Sequence, residues 1–105
     1  MNKVKTRRSD SYQDYLIESL KNPEDAAAYI EAILEAEDPE PQLLSSALQD
    51  VVDARAKMNQ MSSEVKQHHD RLDKMLTESG CAEIYSFVEF LDMLGFQVAV
   101  TVKSE

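Results

Sequence analysis

Apolar residues recur at helical spacing along most of this chain, and each run is bounded by a recognisable start or stop. From Ser11 to Lys21, Tyr12, Tyr15, Leu16 and Leu20 share one side and predict a short helix. Asn22-Pro23-Glu24-Asp25 opens a second. Asn22 can accept from free backbone N–H groups, Pro23 suits the first turn, and two acids complement the positive helix end. Its stripe is Ala26, Tyr29, Ile30, Ile33 and Leu34, running out near Glu37. Asp38-Pro39 repeats the start signal, and Leu43, Leu44, Ala47, Leu48, Val51 and Val52 predict a third helix reaching about Arg55. Two shorter helices are expected over about 58–65 and 68–79, with Gly80 as the stop. A sixth, about 83–94, turns Ile84, Phe87, Val88, Leu91 and Leu94 inward and ends at Gly95. The period then changes. Phe96, Val98, Val100 and Val102 alternate with Gln97, Ala99, Thr101 and Lys103, which predicts a strand over about 96–102. A lone strand leaves backbone groups unpaired. The economical partner is the same strand of a second copy, giving an isologous homodimer.

The fold class is therefore mainly α, with residues 1–10 a flexible basic arm and 11–105 a single helical domain. The length of 105 residues and the hydrophobic share of 43% allow one small core. Charge sharpens the picture. The net charge of −9 argues against broad affinity for nucleic acid, which needs a positive field. Residues 1–8 carry four bases, residues 9–57 carry 12 acids against three bases, and residues 58–105 carry eight acids against four bases. Cys81 is the single cysteine, so there is no intrachain disulfide and no thiolate cluster. No apolar run approaches the roughly 18 residues of a membrane span, and the basic N-terminus lacks the apolar core of a signal peptide. A cytoplasmic protein that stays off membranes is expected.

The stretch Met58 to Gly80 is spaced like a helix-turn-helix, about 58–79. Met61 and Val65 would point inward from the first helix, with Ser62 the small residue at the crossing. Leu72, Met75 and Leu76 would line the inner face of the second helix. Such a motif exposes the residues between, so Lys57, Lys66, His68, His69, Arg71, Asp73, Lys74 and Thr77 become the candidate DNA-binding set. The bases would meet phosphates, and His68, His69 and Asp73 would lie near base edges. The turn position is Lys66 where glycine is favoured. A non-glycine residue there costs roughly 1 kcal/mol.

From about Ser11 to Val102 the chain resembles the antidote proteins (antitoxins) of bacterial addiction modules, of the Xre/Cro helix-turn-helix type. The resemblance lies in "YLIESLKNPEDAAAYIEAILEAEDPE", "LLSSALQDVVDAR", "MNQMSSEV", "RLDKMLTESG" and "FVEFLDMLGFQVAV", in that order. It implies a λ-repressor-like domain with extra N-terminal helices, dimerisation, operator DNA and a small basic toxin held inactive. The acidic 9–57 region suits a basic partner. Where the family has a turn glycine, this chain has Lys66. Where it has Ser-Arg-Glu, this chain has His68, His69 and Asp70, and Asp73 replaces an aromatic. Two functions follow as expectations. The first is a DNA-binding antitoxin and transcriptional regulator. The second is a degenerate relative that binds only a protein partner.

Other chemistry is sparse. Adjacent His68 and His69 point about 100° apart on a helix; His69 and Asp73 could share an ion, but two ligands make a weak site, so no metal or cofactor is expected. Tyr12, Tyr15, Tyr29 and Tyr85 are expected in the core or an interface, and Cys81 as a small buried residue. Two glycines at helix ends cannot cradle a phosphate, and no carboxylate is paired with a base. The chain is not expected to be an enzyme.

Overall fold

The computed structural model describes the backbone of residues 2–103 and the side chains of residues 11–103. Among the described residues five helices follow one another: α1 (Asn2–Ser19), α2 (Pro23–Leu34), α3 (Leu43–Lys57), α4 (Ser63–Ser79) and α5 (Ala82–Met93). The mainly α expectation is met. Helix α1 starts at Asn2, so the backbone of the basic segment continues the helix.

Local chemistry explains the boundaries. The Asn22 side chain accepts from the Glu24 N–H at 2.9 Å and the Asp25 N–H at 3.2 Å, with Pro23 at the first helical position. The second start lies later than the Asp38-Pro39 signal implied. Pro41 disfavours helix for Glu40 before it, so α3 begins only at Leu43. Gly80 closes α4 in the left-handed region, at φ 65.

Helix α3 is the centre of the molecule. Its Leu44 and Ala47 join Ile33, Leu76 and Cys81 in one apolar cluster, and its Ala54 joins Ile17, Leu20 and Ala26 in another. Tyr29 packs against both. Ala47 and Ala54 lie seven residues apart, two turns along one face, and are fully buried. Residues that small let neighbouring helices approach closely. The Tyr29 hydroxyl donates to Asp50 Oδ2 at 3.0 Å, and Gln13 Nε2 donates to Asp50 Oδ1 at 2.7 Å, so one carboxylate of α3 ties α1 and α2 together. The Cα radius of gyration is 15.2 Å, above the roughly 13 Å of a close-packed domain of about this length.

Several expectations are corrected. Residues 63–79 form one helix, where two crossing helices over about 58–65 and 68–79 were expected. Lys66 and Gln67 are good helix formers and nothing at that point bends the chain. The Ser62 hydroxyl accepts from the Val65 N–H at 3.1 Å and starts the helix there. The sharp turn falls earlier, at Asn59 with φ 58, a residue type that tolerates positive φ. Residues 96–102 are extended, but no strand forms among the described residues. A strand needs a ladder partner, and this single chain supplies none. Ile17 is buried on α1, while Tyr12 and Tyr15 face solvent. On α5, Phe87 and Leu94 are also exposed.

Candidate interaction surfaces

The expected DNA-binding residues do not form one exposed ridge. Lys57, Lys66, His68, Arg71, Lys74 and Thr77 are exposed. His69 and Asp73 are turned away. The His69 side chain is only 10% exposed, and its Nε2 has no hydrogen-bond partner. Asp73 accepts from the Ser45 hydroxyl at 2.6 Å, which fastens α4 to the start of α3. Lys66 pairs with Asp70 at 3.4 Å. The charge on α4 is mixed: Lys66, Arg71 and Lys74 stand against Glu64, Asp70, Asp73 and Glu78. Met61 is half-buried, but Val65, Leu72 and Met75, expected inside, are 50%, 38% and 55% exposed. Only Leu76 of that stripe reaches the core.

A second surface is built around α5, and its anchor is Tyr85. Gln42, which precedes α3, makes no side-chain cap. The Tyr85 hydroxyl accepts from the Leu44 N–H at 3.0 Å instead and donates to the Glu40 carbonyl at 3.4 Å. A phenol forty-one residues away thus satisfies one of the free donors at the start of α3. Burial raises the Tyr85 phenol above its ordinary value. This bond fixes how α5 sits on α3. At the other end, Val100 N–H donates to Glu31 Oε1 at 2.8 Å and pins the extended tail to α2.

Between the end of α2, α5 and the tail lies an open groove of about 900 Å³. Its apolar lining includes Ala36, Pro39, Val88, Phe96 and Val98, and its rim holds Glu35, Glu37, Glu89 and Asp92. No basic side chain lines it. Beside the groove, Phe87 is 60% and Phe90 56% exposed, and Met93 and Leu94 are exposed as well. Phe87, Phe90 and Leu94 lie within about 60° of one another around the helix. They adjoin the half-buried Ile84, Val88 and Leu91, so the apolar arc of α5 is wider than the molecule covers. Adjacent exposed aromatics of this kind mark interaction sites.

Sequence reasoning read the α5 apolar stripe but assigned all of it to the interior, and it missed the roles of Tyr85 and Glu31. The groove's acids come as two local pairs, Glu35 with Glu37 in the acid run EAEDPEPQ and Glu89 with Asp92 on α5, and only the fold brings the two pairs together. Among the described residues, no three His, Cys, Asp or Glu side chains converge on one point, and no helix is long and apolar enough to cross a membrane. Compared with known proteins, the chain matches no family model, no curated protein and no solved structure.

Proposed function

We propose that this chain is a protein-binding module of the antitoxin kind that holds a small basic protein and does not read DNA. The partner docks on α5, with cationic side chains in the acidic groove and apolar groups on Phe87, Phe90 and Leu94. The observation behind this reading is the pairing of uncovered aromatics with four carboxylates and no base. Interfaces concentrate aromatic and methionine side chains at their centre, and complementary charge sets specificity and the rate of encounter. The charge of α4 supports the loss of DNA reading: its acids outnumber its bases, and Asp73 is held by Ser45 instead of facing outward.

Two titrations test the proposal: the full chain against the proteins encoded by the reading frames adjacent to its gene, and against the DNA upstream of that gene. Saturable binding to the protein, weakened by salt and by Phe90→Asp or Glu89→Lys, is the expected result. A specific DNA complex whose affinity falls steeply with salt and is lost in Lys74→Ala would restore the DNA-reading function. No binding to either would remove both readings.

A further inference from the structure

We propose that the partner enters through a basic segment in extended form, which pairs as a strand with the open backbone edge of residues 97–101 and sets its cationic side chains over the acidic groove. Among the described residues, the N–H groups of the extended tail have two partners. Phe96 N–H donates to the Leu91 carbonyl at 2.8 Å, and Val100 N–H donates to Glu31 Oε1 at 2.8 Å. Successive N–H groups of extended backbone point to opposite sides. The bond to Glu31 therefore turns the N–H groups of Ala99 and Thr101 away from α2. Gln97, Ala99 and Thr101 are exposed, while Val98 and Val100 are half-buried. The tail is held straight on one side and left unpaired on the other, which is the condition in which an edge takes up a further strand.

Charge identifies the occupant. Phe96, Gln97 and Val98 form one wall of the groove whose rim holds Glu35, Glu37, Glu89 and Asp92, with no base in the lining. A strand laid on this edge starts beside four carboxylates, and its lysine or arginine side chains can reach them. Its apolar side chains, at alternate positions, would lie beside Phe96 and Val102, which are 61% and 46% exposed. A second copy of this chain does not fit. Residues 96–105 carry one base, Lys103, and one acid, Glu105, so a paired copy would bring no net positive charge, on a chain of net charge −9. A helix satisfies its own backbone and would leave the edge open. This binding mode rests on the reading of the groove as the docking site of a basic protein, and adds the form in which that protein enters.

The probe is a capped heptapeptide of alternating lysine and valine, added to the full chain, with amide hydrogen exchange followed by NMR. Saturable binding that slows exchange at Ala99 and Thr101 by about tenfold or more is expected. Ala99→Pro removes an N–H from the open edge, and proline suits extended backbone at an edge, so circular dichroism should stay native while binding weakens by about tenfold. A fully N-methylated peptide with the same side chains should lose as much against the unaltered chain. Equal binding of the two peptides, or binding untouched by Ala99→Pro, overturns the strand and leaves charge alone; the groove would then still serve a basic protein. Slow exchange at Ala99 and Thr101 before any peptide is added also overturns it, because the edge is then occupied already. Failure of the peptide to bind overturns it as well, while the titration against the neighbouring proteins judges the docking site separately.

Discussion

Helices α4 and α5 present the same puzzle and resolve it differently. Each has an apolar arc wider than the monomer covers, and each is anchored at one end, α4 by Leu76 and Asp73, α5 by Cys81 and Tyr85. Their surroundings differ. Bases and acids are interleaved on α4, while α5 and its groove hold acids alone. Apolar area gives affinity to both surfaces; charge decides what each will accept. Two exposed apolar stripes on one small protein thus differ in the charge around them.

The largest effect should expose how unevenly α4 is anchored. Leu76→Ala removes a side chain only 5% exposed and should lower stability by about 2–5 kcal/mol. Val65→Ala, measured in the same urea series at low concentration, should cost less than about 1 kcal/mol. Equal losses would mean that both ends of α4 are packed within the monomer.

The charge contrast comes next. Reversing Glu89 and Asp92 together to lysine should weaken binding of the basic partner by about tenfold or more and flatten its salt dependence. Asp70→Lys on α4 should leave that binding unchanged. If both changes act alike, the overall charge of −9 governs recognition and the groove is incidental.

Tyr85→Phe leaves the Leu44 N–H without its acceptor and should cost about 1 kcal/mol or somewhat more. The loss should appear in thermal unfolding and loosen α5 without touching α4. His69→Leu probes the other helix and should act in the opposite direction. It removes a nearly buried ring whose Nε2 has no partner, so a gain of about 1 kcal/mol is expected.

The smallest effect lies at high pH. Burial first, and then the hydrogen bond to Asp50, push the Tyr29 phenol up to about 12 from an ordinary 10.0. The folded pKa lies above the unfolded one, so the neutral phenol's contribution is complete below about 10 and disappears as pH rises through about 12. Tyr29→Phe should lose this dependence. An unchanged pH profile in the variant would assign the alkaline loss to other groups.

The start and end signals of the helices were legible because they are local. Asn22-Pro23 and Gly80 act within a turn of their own position, and the 3.6-residue spacing of Ala26 and Ile33 or Leu44 and Ala47 needs no knowledge of neighbours. The break expected near Lys66 was not legible, because helix-turn-helix spacing fixes offsets and not the conformation of the turn. With lysine and glutamine at that point, helix propensity continued unopposed. Asn59 took the turn instead.

By itself the sequence determined a mainly helical chain, its acidic character and which positions are apolar. Only tertiary structure decided which of those apolar positions the molecule uses for itself. Helix α3 can be surrounded by only so many neighbours, and once Leu44, Ala47 and Ala54 were covered, the rest of α4 and α5 had nothing left to pack on. Periodicity records that a face is apolar; the number of helices around the centre decides whether that face is interior or interface.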